Sequence, residues 1–264
     1  MAQDAAPRLD GELRLRGRIA TASNQTFLGE IDGTRVVYKP RIGEKPLWDF
    51  PDGDLADREV AAYLVSEALG WSIVPLTWLR DGPLGPGMVQ VWREPDPAHD
   101  PVDVVRVDEV PGAGWRRVLD GLDDADLPVA LIHEDSLALR RMAVFDVLVN
   151  NADRKGGHVL PMPDGHRYGV DHGLTFHEEH KLRTVLWGWQ GDALTPDECA
   201  GIDRVLGGLA AGARGAGGSL GTALAELISP AELDAFADRC RRTLRRGCFP
   251  APSGPMPATP WPLF

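Results

Sequence analysis

Cysteine is scarce in this chain. The 264 residues contain three, Cys199, Cys240 and Cys248, an odd number without a CxxC or Cys/His spacing. That pattern argues against a disulfide framework and against a structural zinc site, and a reducing cytoplasm suits it best. Long apolar runs are missing too. No stretch approaches the roughly 18 uninterrupted apolar residues of a membrane span, and the opening segment MAQDAAPRLDGELRLRGRI lacks the apolar core of a signal peptide, so a cytoplasmic protein is expected. Basic residues are outnumbered, 28 Lys and Arg against 39 Asp and Glu, giving a formal net charge of −11. Such a balance disfavours an extended nucleic-acid surface, and only mildly disfavours peripheral contact with anionic lipid. No segment repeats. What remains, 43% hydrophobic and 25% charged residues, is the composition of a folded globular protein whose partner is a small molecule or another protein.

The first part of the chain reads as β-β-β-α-β-β. Residues 13–20 alternate apolar and basic, 26–31 and 34–39 are strand-like, and Asp32-Gly33 between the last two is a hairpin signal. Apolar residues at helical spacing over 53–70 predict a helix that stops at Gly70. Strands are expected at 72–79 and 87–93, joined by the turn-rich RDGPLGPG. The second part reads as helical: 114–122, 136–151, and then about 195–208, 219–228 and 230–246, with Ser229-Pro230 as an N-cap and first helical position. A short hairpin is expected around Pro163-Asp164-Gly165, and the Gly-rich stretch from 207 to 219 reads as a flexible connector. The tail FPAPSGPMPATPWPLF is too rich in proline for regular structure and is expected to run extended, docked by Trp261 and Phe264. The expected organisation is an extension over 1–12, a small antiparallel β-rich lobe over 13–95 with one helix, a larger mainly helical lobe over 96–248, and the tail over 249–264. A cleft between two such lobes is the natural place for a ligand.

Chemistry concentrates after the helix at 136–151, in FDVLVNNADRKGGHVL and then YGVDHGLTF. Phosphoryl transfer asks for an orienting base, cations over the phosphates, and ligands for one or two metal ions. Asp153 is followed two positions on by Lys155, five on by His158, and thirteen further on by Asp171 in V-D-H-G. Protein-kinase-like enzymes order a catalytic Asp, often a Lys, a metal-binding Asn and a metal-binding Asp in this way. Arg154 and Lys155 compete for contact with the transferred phosphate. Upstream, Lys39 ends the third expected strand, where a phosphate-pairing lysine belongs, and Glu59 opens the next helix, where its ion-pair partner belongs. The loop TASNQTFLG has no G-x-G-x-x-G, yet Ser23, Asn24 and Thr26 offer hydroxyl, amide and backbone N–H groups to phosphate. Val91 to Glu94 lie where backbone groups could read adenine. A zinc-hydrolase reading of His166, His172, His177 and His180 fails because HEEH is not H-E-x-x-H.

The segment NNADRKGGH…VDHG resembles the catalytic and metal loops of the phosphatidylinositol 3-/4-kinase-like superfamily, and is more distantly similar to HipA-type kinases. With VVYKPRIGEKPLWDFPDGDLADREVAAYLVSEALGW and GPLGPGMVQVW, residues 13–250 look like the small bacterial branch of that superfamily. The resemblance implies an α+β, two-lobed atypical kinase fold with ATP in the cleft, Asp153 as the catalytic Asp, Asp171 on metal and Lys39 on phosphate. His158 departs from the pattern, standing where Asn is expected. Imidazole suits Mn²⁺ better than Mg²⁺. The expected activity is ATP-dependent phosphorylation of a hydroxyl on a protein, lipid head group or metabolite. A nucleotide-binding pseudokinase is the alternative, and a non-nucleotide interaction module is a third possibility.

Overall fold

The structure, a computed structural model, describes residues 9–19, 24–45, 50, 55–213, 218–254 and 256–264. Residues 14–91 build a five-stranded antiparallel sheet in the order β1-β2-β3-β5-β4, from β1 (Arg14–Arg18), β2 (Phe27–Ile31), β3 (Thr34–Pro40), β4 (Thr77–Gly82) and β5 (Gly85–Val91). Asp32 and Gly33 join β2 to β3 with φ of 49° and 81°, the left-handed pair that a tight hairpin needs and that Asp-Gly supplies cheaply. Alternation along β3 sends Val36 and Tyr38 into a small core with Leu13, Ile31 and Val89. It therefore sends Val37 and Lys39 to the opposite face.

Helix α1 (Leu55–Leu69) packs between two cores. Ala56 and Val60 meet Met88 of the sheet, while Ala61, Val65 and Leu69 join the main core of the second part. Because both sides are covered, even Asp57, Arg58 and Glu59 are buried. β4 begins later than the sequence suggests. Ser72 turns the chain with φ of 48°, and Ile73 and Val74 go into the core before the strand starts at Thr77.

Residues 114–122 are a strand and not the expected helix. β7 (Trp115–Leu122) pairs with β8 (Pro128–Glu134), which also pairs with β6 (Val102–Arg106), giving a three-stranded sheet in the order β6-β8-β7. The cause is the partner: ALIHE in β8 is buried and is paired on both edges, whereas β7 itself is mostly exposed and weakly patterned. The Asp123 carboxylate closes the turn, accepting from the backbone N–H groups of Ala125 and Leu127 at 2.9 Å each.

The core helix α2 (Leu137–Val149) starts at the Ser136 cap, whose Oγ accepts from Leu139 N–H, and ends at Asn150 in the left-handed conformation. A short antiparallel pair follows, β9 (Val159–Pro161) and β10 (Arg167–Gly169), turning at Gly165. Helix α3 (Pro196–Ala213) runs into the first half of the Gly-rich stretch expected to be a connector, of which residues 214–217 lie outside the described residues. Gly208 and Gly212 serve packing there: a Cβ on Gly212 would lie 2.8 Å from Gly221 Cα in α4 (Leu220–Ala225), and one on Gly208 3.0 Å from the Leu220 side chain. Helix α5 (Pro230–Arg246) has the expected Ser229 cap and Pro at its first turn. The tail docks partly as expected: the Phe264 ring lies against Gly156, where a Cβ would come within 2.3 Å of it, whereas Trp261 does not anchor the chain. Trp261 is 85% exposed, and the chain is also held through the Ala258 carbonyl, which accepts from Thr184 N–H and Trp187 Nε1–H, and the Leu263 carbonyl, which accepts from Gly156 N–H. No helix among the described residues is long and apolar enough to cross a membrane. The architecture is thus α+β, with an antiparallel sheet at the N-terminal side and helices dominating the C-terminal side.

Candidate active site

Lys39 reaches out from the end of β3 and meets two carboxylates. Its Nζ lies 2.6 Å from Glu59 Oε1 and 2.7 Å from Asp171 Oδ1. Glu59, only 2% exposed, spends its other oxygen on the backbone N–H of His172 at 3.0 Å, so one glutamate of α1 holds both the strand lysine and the loop that carries Asp171. Burial works against the Lys39 charge, but Asp171 and Glu59 outweigh it and hold the pKa above that of a free lysine. Reciprocally, the Lys39 ammonium holds the Asp171 carboxyl well below the usual range. Asp171 sits at φ of 61°, an uncommon conformation for a residue with a Cβ and one that aims its carboxylate back across the cleft.

His158 stands opposite. Its Nδ1 lies 2.9 Å from the Asp153 carbonyl, to which it can only donate, and its Nε2 faces Asp171 Oδ2 at 3.5 Å. Burial lowers the imidazole pKa, so the ring is neutral near pH 7 and Nε2 presents a lone pair. A lone pair facing a carboxylate oxygen across that gap is a donor set that fits a cation. Among the described residues no group of three or more His, Cys, Asp or Glu side chains gathers as a metal nest, so such a cation would draw its other ligands from a ligand's oxygens and water. Asp153 itself is about one-quarter exposed, with one oxygen 3.2 Å from Lys155 Nζ, and its backbone N–H is fixed by Asn151 Oδ1 at 3.0 Å.

Arg154 does not belong to the cleft. Its guanidinium is fully buried, paired with Asp146 of α2 through contacts of 2.9 Å from both Nε and Nη2, and it also donates to the carbonyls of His158 and Val170 at 3.3 Å and to His172 Nε2 at 2.7 Å. The buried guanidinium joins the two loops that carry His158 and Asp171 and cannot reach a phosphate. Asp146 was missed by the sequence reading. Its signal was an acid in the middle of an apolar helix face, which must find a partner if buried.

Two cavities meet at the Lys39–Asp171 pair. The larger, about 440 Å³, is walled by Val37, Val91, Leu160 and Val170 and ends at Lys39, His158 and Asp171. The smaller, about 190 Å³, carries Asp153, Lys45 and Leu174 beyond the same pair. Asn24 lines both and Thr26 the larger, where the Thr26 hydroxyl donates to the Asn24 carbonyl at 3.3 Å; Ser23 lies outside the described residues. Val91 contributes its side chain to the wall, and its backbone N–H is engaged elsewhere. Its N–H is already given to the Leu76 carbonyl at 2.9 Å and that of Trp92 to the Arg35 carbonyl at 3.0 Å, so neither amide is free to read a base.

Comparison with known proteins adds kinship. Protein Rv2133c of Mycobacterium tuberculosis (strain ATCC 25618 / H37Rv) is 49% identical over 268 residues, covering 97% of this chain and 93% of that one. The chain belongs to the Rv2133c family. No protein-family model matches it. Among solved structures, the crystal structure of the Helicobacter pylori proinflammatory kinase CtkA matches over 91% of this chain and 93% of that one, at 11% identity and a TM-score of 0.42.

Proposed function

We propose that the protein is an ATP-dependent phosphotransferase that moves the γ-phosphoryl group to a hydroxyl acceptor, in the atypical, phosphatidylinositol 3-/4-kinase-like class. The observation that carries this reading is the Glu59–Lys39–Asp171 chain of contacts, which sets one cation between two carboxylates from distant segments where an apolar slot meets a second cavity that holds Asp153. An apolar slot of this size suits a purine and its ribose. Lys39 would then pair with the phosphates, and the Asn24–Thr26 turn would approach them from above. Asp171 and His158 Nε2 would hold Mg²⁺ or Mn²⁺, which neutralises charge on the phosphate oxygens.

Asp153 lines the second cavity, on the side an acceptor would enter. Its carboxylate would orient the acceptor hydroxyl and take the proton as the new oxygen–phosphorus bond forms and the β–γ bridging bond breaks, releasing ADP. Lys155, 3.2 Å from Asp153, would offset charge on the transferred group. The test is transfer from γ-labelled ATP with Mn²⁺ or Mg²⁺, comparing the parent with Asp153→Asn. Loss of a general base lowers the rate by about 10²–10⁴-fold. Nucleotide binding with no transfer above the Asp153→Asn background would make the protein a nucleotide-binding regulator.

A further inference from the structure

A second cluster of charge lies outside the cleft. Arg239, Arg242 and Arg246 project from one face of α5 into a cavity of about 110 Å³ that His180, Thr243 and Cys248 also line. Arg239 is 7% exposed and its partners are neutral: Nε donates to the Leu148 carbonyl and Nη1 to the His177 carbonyl, each at 3.0 Å, while Nη2 has no hydrogen-bond partner among the described residues. Among the described residues none of the three arginines is ion-paired. Glu178 lines the same cavity, and Glu232 faces Arg239 at longer range but is committed to Arg58 at 2.5 Å. Burial is the largest influence on Arg239 and, with the Arg242 charge, brings it down to about 10 against the opposing pull of Cys240 and Glu232. A buried guanidinium left in that condition favours an anion, and guanidinium forks suit phosphate oxygens.

We propose that this cavity is a binding site for a phosphate dianion, carried as an ester on Ser253 or free in solution. Ser253 is exposed, and its hydroxyl lies 3.2 Å from His180 Nε2, on the chain segment that runs on from Cys248 and Pro250 at the cavity wall. The ester would form from a nucleoside triphosphate: the bond from Ser253 Oγ to the γ-phosphorus forms, the bond from the γ-phosphorus to the β–γ bridging oxygen breaks, the nucleoside diphosphate leaves, and the hydroxyl proton passes to the base of the kinase that catalyses the step. The inference does not require this chain to be that kinase. A bound phosphate would tie α5 to residues 177–182, which follow Asp171 and which Arg239 and Asn150 already hold at the His177 carbonyl.

The experiment uses the full chain without nucleotide. Inorganic phosphate, compared with chloride at matched ionic strength, should raise the melting temperature by about 2–6 °C, and Arg242→Gln with Arg246→Gln should abolish the rise. Both side chains are exposed, so the double variant keeps its fold. Protein carrying phosphoserine at 253 should melt higher without added phosphate and respond no further to it; if it still responds as the parent does, the site takes the free ion. The proposal is overturned if neither phosphate nor phosphoserine raises the melting temperature, or if the double variant responds like the parent.

Discussion

His158 shows how much one hydrogen bond decides. Because Nδ1 can only donate to the Asp153 carbonyl, Nε2 is left as an acceptor facing Asp171. In the phosphotransferase reading that nitrogen is a metal ligand, so nucleotide binding should favour Mn²⁺ over Mg²⁺. A protonated imidazole cannot ligate. Since burial lowers the His158 pKa, metal-dependent binding should hold down to pH 6.5 and weaken only below it. Thermal shift with ATP and each metal across pH should show this in the parent, whereas His158→Asn should move the preference to Mg²⁺ and flatten the pH dependence. An unchanged preference in the variant would leave His158 only the role of positioning Asp153. At this scale the sequence was informative where spacing carries chemistry: Lys39, Glu59, Asp153, His158 and Asp171 form one connected group. It was silent on direction. In Asp153-Arg154-Lys155 nothing local tells which side chain turns inward, and the buried Asp146 that claims Arg154 lies eight residues back.

At the scale of elements, legibility followed the strength of local signals. The hairpin at Asp32-Gly33, the core helix α2 and the Ser229-Pro230 start of α5 are encoded by residues in direct contact, and all three formed. β7 was misread because its own residues are mostly exposed; its state is set by β8, from which a turn separates it. α3 outran its expected end because Gly208 and Gly212 face α4, a contact no local rule contains. The capping box of α5 gives a test of local encoding. Ser229 Oγ accepts from Glu232 N–H, and Glu232 Oε2 accepts from Ser229 N–H at 2.9 Å while Oε1 pairs with Arg58 of α1. Ser229→Ala should cost about 1 kcal/mol in urea denaturation, the value of a cap. Glu232→Ala should cost more, about 3 kcal/mol, because it also leaves a buried Arg58 without its carboxylate. Equal losses would mean that the tie between α1 and α5 contributes little beyond the cap.

Across the whole molecule, two histidines are buried where segments from distant parts of the chain join. His133 in β8 donates from Nδ1 to the Glu134 carbonyl and accepts Gly188 N–H at Nε2, linking the three-stranded sheet to the turn at Trp187–Trp189. Gly188 permits that contact, since a Cβ there would overlap the His133 ring. His172 accepts from Arg154 beside Asp171. Both are neutral in the folded state: burial lowers His133 to about 4 and His172 well below its usual value. The unfolded chain binds a proton on each as pH falls through about 6.5, while the folded chain refuses it until far lower. Stability is therefore complete above that pH and declines as the solution is acidified, His133 alone accounting for about 3 kcal/mol between pH 6.5 and 4. The Asp171 carboxylate contributes in a separate window, since its depressed pKa makes its loss begin only below about pH 4. Urea unfolding at a series of pH values should show the decline starting near 6.5, and His133→Gln, which keeps a neutral donor and acceptor, should remove a large share of the slope while lowering the plateau. A slope in that variant equal to the parent's would assign the proton uptake to other groups, His172 first among them.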